Sequence, residues 1–310
     1  MALGPGTSDI TPSLVNPPRI PARTATVRRQ FDQRVPRVMA HDFLLREIGR
    51  RLFARLDLMK LVPQAIADVG CGAGASREAF ATKYPQAQWL GIDQSLAMLA
   101  AGRPAGLRAT VNRWFGQSPA LIGAEAGALP LADASVDLVH SNLMLHWHPE
   151  PHRLFPEWKR VLRTDGLLLF SCFGPDTLKE LRAAMLEVEP RVRPMSFVDM
   201  HDFGDMMVAA GLATPVMDVE TIRLTYASAR ELIAEVRGLG ANPRDDRWAS
   251  LISGRRARAL VEALERRRDA DGRITLSFEV AYGHAWKPVP RAVANTVSLD
   301  RLREKIAAPR

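Results

Sequence analysis

The stretch that most constrains this chain is Ile66-Ala67-Asp68-Val69-Gly70-Cys71-Gly72-Ala73-Gly74, a short apolar run ending in an acid and glycines at alternate positions. It reads as a strand delivering a nucleotide-binding turn. Glycine allows a tight turn and close approach of backbone to ligand, and the following Ala75 to Tyr84 has the composition of a helix whose N-terminus faces that ligand. The dinucleotide fingerprint places its glycines after the strand as G-x-G-x-x-G and receives a pyrophosphate, whereas the order here is D-x-G-x-G-x-G. Taken alone, the turn also suits a generic nucleotide site or a purely structural bend. Leu90-Gly91-Ile92-Asp93 adds a second strand ending in a carboxylate, where a doubly wound sheet presents an acid to ribose hydroxyls. Asp93, followed by Gln94, takes that role. Val136 to Asn142 reads as the fourth strand, and Val161 to Phe170 as a helix exit through Thr164-Asp165-Gly166 into the fifth.

These ordered segments resemble the motifs of the class I S-adenosylmethionine (SAM) methyltransferases. The resemblance implies an α/β fold with a Rossmann-like, seven-stranded, mostly parallel sheet, preceded by N-terminal helices and carrying an α-helical cap insertion. It implies SAM as cofactor, with Asp68, Gly70, Gly72 and Gly74 at the methionine end, where a carboxylate suits the ammonium and backbone amides suit the carboxylate. Glu125-Ala126-Gly127-Ala128-Leu129-Pro130-Leu131 resembles the family's D-A-x-x-L-P-F stretch, whose acid reads the adenine amino group. Glu125 is one methylene longer than that acid, and Ala126 accompanies it.

With 310 residues and 47% hydrophobic content, the chain can bury a full core as one catalytic domain with extensions. No apolar stretch approaches the roughly 20 residues that span a bilayer, so no integral membrane association is expected. Residues 1–27 read as a disordered arm without the apolar core of a secretory signal, and an Arg-rich, acid-poor transit peptide shares this composition. Two cysteines, Cys71 and Cys172, make no disulfide framework, which fits a reducing cytosol and a cytoplasmic location. The net charge of +8 fits either a solvated arginine-rich surface or an acidic partner. No nucleic-acid motif accompanies it, so nucleic acid is not expected as a partner. The sequence does not set the oligomeric state.

Along the chain, apolar residues from Phe31 to Leu56 recur at helical spacing, giving one or two amphipathic helices that pack over the sheet or cover the cofactor. Gln88 to Ile92 is the second strand, Ser95 to Arg103 a helix and Arg108 to Trp114 a short third strand, with Pro119 to Gly127 the adenine-side loop. His140, His146, His148 and His152 invite a metal reading, but no carboxylate or thiolate pattern completes a site and Pro149 and Pro151 make a turn, so no metal is expected. Asn142, His146 and Trp147 line the cleft above the strand ends; His146 is either a polar contact to a ligand or a packed, hydrogen-bonded histidine. Helices over Thr177 to Val188 and His201 to Ala210, with the basic loop Arg191 to Ser196 between them, enlarge the simple plan. The domain thus runs over 28–287, with cap insertions at about 176–211 and 227–269 and a tail over 288–310. Met217 to Leu224 and Ile274 to Gly283 supply the last two strands.

A narrower resemblance rests on Asp68 to Gly74, Ser141-Asn142-Leu143-Met144-Leu145-His146-Trp147, Gly174-Pro175-Asp176-Thr177-Leu178-Lys179-Glu180-Leu181, Leu224-Thr225-Tyr226 and Gly238-Leu239-Gly240-Ala241. These resemble the malonyl-acyl-carrier-protein O-methyltransferases that open the pimelate branch of biotin synthesis. The resemblance implies malonyl-acyl carrier protein as substrate. Many of those enzymes carry a tyrosine in the helix over the substrate where this chain has Val38. A malonyl carboxylate is already nucleophilic at neutral pH, so the implied catalysis is orientation rather than base chemistry. A guanidinium matches a planar carboxylate, and Arg182, Arg191 and Arg193 are the candidates. Two alternatives stand beside this reading. Phe31-Asp32-Gln33-Arg34, the Gly174 to Leu181 stretch and Ala285-Trp286-Lys287 also resemble complex I assembly proteins implicated in arginine hydroxylation, and a small-molecule SAM methyltransferase shares the core motifs.

Overall fold

The computed structural model describes residues 19, 22–103, 120–240, 242–244 and 254–290. Its centre is a parallel sheet of β1 (Ala65–Val69), β2 (Gln88–Asp93), β3 (Ala120–Gly123), β4 (Val136–Asn142) and β5 (Leu162–Phe173). The long strands β6 (Ala213–Tyr226) and β7 (Ile274–Trp286) extend it in the order β3-β2-β1-β4-β5-β7-β6, with β7 antiparallel to both neighbours. This is the seven-stranded, mostly parallel sheet expected from the sequence. Every residue of β1 is buried, because helices cover both faces of a parallel sheet. Strand order reverses between β1 and β4, and that reversal opens a crevice at the carboxyl ends of the strands.

Three helices precede the sheet: α1 (Thr24–Asp32), α2 (Val35–Ala40) and α3 (Phe43–Ala54). Leu44, Ile48 and Leu52 of α3 are fully buried and join Ile66, Phe80 and Leu138 on one face of the sheet. The arm expected up to residue 27 ends sooner, since α1 already begins at Thr24 and Val27 is buried where α1 packs on α5 (Leu96–Ala101). Asp32, at the end of α1, accepts from Ser95 Oγ at 2.6 Å and so ties that helix to the α5 N-cap.

Between β1 and β2 runs α4 (Arg77–Lys83), and α6 (Leu154–Val161) leads into β5. The helix exit bends at Asp165 (φ 60°) and Gly166, where a Cβ would meet the Arg163 carbonyl oxygen at 2.7 Å. Beyond β5 come α7 (Lys179–Val188), α8 (Met200–Ala209), α9 (Ala229–Leu239) and α10 (Gly254–Glu265). They do different jobs. Phe203, Met206 and Met207 of α8 are core residues beside Phe155 and Phe170, so α8 lies on the sheet. Helix α7 packs on β7 and on α10, and α9 on β6, β7, α10 and α2.

One strand lies where the sequence reads a loop. Ala120–Gly123 pairs with Leu90 to Asp93, although its glycine-flanked, uncharged surroundings have no strand-length alternation. Burial of Trp89 and the bare surface of Gly91, where Leu121 sits 3.0 Å from a Cβ position, make room for it. The strand expected over 108–114 and most of the N-terminal arm and the tail lie outside the described residues.

Candidate active site

The turn after β1 passes through Gly70 (φ 75°) and Gly72 (φ 55°), both in the left-handed region that favours glycine. A Cβ on Gly70 would stand 2.4 Å from the Met144 side chain, so this position has neither the backbone freedom nor the space for another residue. Gly70 and Cys71 donate their N–H groups to the Ile92 carbonyl, at 2.8 and 3.1 Å, pinning the turn to the end of β2. The Gly72 N–H donates to Asp93 Oδ2 at 2.9 Å, and the Ser95 N–H to Oδ1 at 2.8 Å. Asp93 therefore holds the turn as well as facing the crevice. The atoms packed around it raise its carboxyl above the usual range despite those two donors. Burial, then Asp68 and Asp93, push the Cys71 thiol up, so it is no thiolate nucleophile.

Register places Asp68 of β1 beside His140 of β4. His140 Nδ1 lies 2.8 Å from Asp68 Oδ1, and Ser76 Oγ donates to the other carboxylate oxygen. The Asp68 carboxylate accepts, which puts the imidazole proton on Nδ1. His140 Nε2 is buried and, among the described residues, has no hydrogen-bond partner. Asn142, the last residue of β4, donates from Nδ2 to the Leu45 carbonyl at 3.0 Å and accepts from Ser171 Oγ at 2.7 Å, fastening α3 to the sheet. Gly49 permits that approach, its Cβ position being 3.1 Å from Asn142 Nδ2.

These groups line one cavity of about 690 Å³. Asp68, Gly70, Gly72, Asp93, Gln94, Glu125, Ala126 and Asn142 all border it. Gly74 does not: it turns the chain at φ 76° against the Trp89 ring, 3.3 Å from its Cβ position. Glu125 accepts from His148 Nε2 at 2.9 Å and from the Gly127 N–H at 2.9 Å, and the His148 bond above all holds its carboxyl below the usual range. His148 also borders the cavity, a partner that sequence spacing alone does not reveal.

The cationic candidates are distributed differently. Arg182 donates to the Pro175 carbonyl, Arg191 and Arg193 are exposed on the loop after α7, and none of the three borders the cavity. His146 is buried behind Trp147, among the rings of Phe173 and Phe197, and accepts from the Phe173 N–H at 3.4 Å. Burial lowers its pKa to about 3, so it stays neutral near pH 7. The arginines that do border the cavity are Arg46 and Arg50. Asp42, Leu45, Arg46, Gly49, Arg50 and Phe53 present one helical face of α3 to it, a spacing legible in the sequence once α3 is known to cover the crevice. Arg46 pairs with Asp42 and Arg50 with Glu47. Val38 closes the cavity from α2.

The lining fits SAM on its donor set. The Asp68 carboxylate suits an ammonium, Asp93 offers an acceptor to ribose hydroxyls, and Glu125 one to an adenine amino group. The volume lies within the range of cofactor pockets.

Comparison with known proteins agrees. Residues 67–170 match the family described as "Methyltransferase domain". The malonyl-[acyl-carrier protein] O-methyltransferase of Laribacter hongkongensis is 40% identical over 266 residues, covering 86% of this chain and 90% of that protein. Its namesake from a Methylovorus species is 41% identical, with 86% and 90% covered. Among solved structures, the [4+2]-cyclase SpnF superposes with a TM-score of 0.55 at 18% identity, covering 88% of this chain and all of that one (100%). The YcgJ protein of Bacillus subtilis gives 0.52 at 16% identity, with 77% and 98% covered. These two show a shared fold, and a cyclase among them shows that the fold does not fix the reaction. Identity at this level across nine tenths of the curated relatives does more: the chain belongs to the malonyl-[acyl-carrier protein] O-methyltransferase family.

Proposed function

We propose that this protein transfers the methyl group of SAM to the free carboxylate of a malonyl group carried on acyl carrier protein, the step that the sequence resemblance assigns to the pimelate branch of biotin synthesis. One observation carries the reading: a single cavity gathers the glycine turn, the acids Asp68, Asp93 and Glu125, and the arginine-bearing face of α3. When bound, SAM supplies a methyl on a sulfonium, and the S–C bonding pair returns to sulfur as a carboxylate oxygen forms the new O–C bond.

The residues of the chain then have positioning to do rather than proton transfer. Asp68 holds the methionine ammonium, Asp93 and Gln94 the ribose, and Glu125 with Ala126 the adenine edge. Arg46 and Arg50, paired with Asp42 and Glu47, bring guanidinium donors to the opposite wall, and a carboxylate acceptor competes with those partners for them. The helices α1 to α3 cover the cavity and keep water from competing with the carboxylate. No base is required, and His140 and His148 are already committed to carboxylates. A cytoplasmic location accords with the two free cysteines. Among the described residues no helix is long and apolar enough to cross a membrane.

Mass spectrometry of carrier protein incubated with SAM and this enzyme provides the test. Malonyl-carrier is expected to gain one methyl group while acetyl-carrier, which lacks the free carboxylate, gains none. Equal modification of both, or of neither, contradicts the reading.

A further inference from the structure

In the segment Gly238-Leu239-Gly240, Leu239 packs on the core and lines the cavity, while the two glycines serve a close approach of helices. Gly238 faces His41, whose ring would lie 2.4 Å from a Cβ there, and Gly240 (φ 141°) faces the Trp147 ring at 2.5 Å. Its two glycines thus bring α9 against the end of α2 and against the cavity wall, and His41 Nδ1 lies 2.8 Å from Glu235 Oε2 beside them. Leu239 reaches into the cavity from this joint, beside Val38 and Met39 of α2. On its outer side the same joint forms a groove of about 390 Å³ lined by Arg34, Arg37, Val236, Arg237, Gly240 and Asn242. Half of that lining is arginine, and among the described residues none of it is acidic. The nearby Glu235 is held by His41, and Asp32 by Ser95.

The groove and the cavity therefore share two walls, α2 and α9, with Gly240 and Trp147 at their junction. An acyl group on a carrier protein hangs from a pantetheine arm whose far end is a phosphodiester. When the acyl end is in the cavity, the phosphate has to lie outside its mouth. We propose that this groove binds that phosphate, with Arg37 and Arg237 as donors, and that the joint at Gly238 to Gly240 guides the arm inward. The assignment rests on the function proposed above and adds to it the entrance that the carrier uses. Guanidinium groups suit a phosphate through paired, charge-assisted hydrogen bonds.

The experiment compares malonyl-phosphopantetheine with malonyl-pantetheine, which lacks the phosphate, in the native enzyme and in the double variant Arg37→Gln/Arg237→Gln. The native enzyme is expected to show a lower KM for the phosphorylated thioester. The variant is expected to raise that KM by about tenfold, the scale of one charge-assisted hydrogen bond, while KM for malonyl-pantetheine and Kd for SAM stay unchanged. Lysines at both positions are expected to restore most of the difference. An equal rise for both thioesters, or no rise for either, overturns the groove assignment while methylation itself still supports the function. Failure of the native enzyme to methylate either thioester overturns the functional reading and this assignment together.

Discussion

At the scale of single residues, the site is built from side chains that each serve the fold and the cavity at once. Asp93 is the clearest case, since its two oxygens hold the N–H groups of Gly72 and Ser95. Asp93→Ala removes both the ribose acceptor and the tie on the glycine turn, and SAM affinity is expected to fall by tenfold or more in calorimetry, the scale of one hydrogen bond to a charged group. Unchanged affinity would remove Asp93 from the site. His146 tests a different property. Its folded pKa is lowered by burial to about 3 from 6.5, so the unfolded chain binds a proton that the folded one refuses. Stability therefore rises with pH through that window and falls as pH drops below about 6.5, at up to roughly 1.4 kcal/mol per pH unit for this group. His146→Gln, which does not titrate, is expected to flatten the acid side of a urea-unfolding series; an unaltered slope would show that His146 is not the residue responsible. The acids and glycines were legible in the sequence because ligand chemistry restricts them to few residue types. The neighbours of Glu125 and Asp68 were not, because His148 and His140 reach them through the fold rather than along the chain.

At the scale of elements, α3 decides the chemistry of the cavity. Leu44, Ile48 and Leu52 bind it to the sheet, Asn142 binds its backbone, and Arg51 and Arg55 reach Glu220 and Asp218 on β6. Ile48→Ala is expected to cost about 2–5 kcal/mol by leaving a cavity at this joint, visible as a lowered denaturant midpoint. Arg46→Ala and Arg50→Ala, both more than half exposed, are expected to leave the midpoint in place and lower kcat/KM for malonyl-carrier by about tenfold or more each. Wild-type kinetics in both variants would leave these two guanidinium groups without a role. The amphipathic spacing of this helix is plain in the sequence, yet arginines in a polar stripe look alike whether they face water or a ligand. Sequence reasoning accordingly placed the carboxylate contact on Arg182, Arg191 and Arg193, in the basic loop and the helix before it. None of the three borders the cavity in the structure, and Arg182 is instead bonded to the Pro175 carbonyl.

Across the whole molecule, the parallel core followed its motifs closely: each acid or glycine cluster lies at the carboxyl end of a strand, where the topology converges. Less was legible away from it. Strand β3 is too short and too weakly patterned to read without β2 beside it, and the helices after β5 are placed by packing partners that lie far apart in sequence. The account joins a SAM cavity to an anionic acceptor, and one measurement tests that junction most directly. Purified enzyme is incubated with methyl-labelled SAM and malonyl-acyl carrier protein, and the label is followed through mild base. The account predicts label in a base-labile ester of the acyl group. Tight SAM binding with no label in that ester would contradict it, leaving the cofactor site in place and the acceptor wrong.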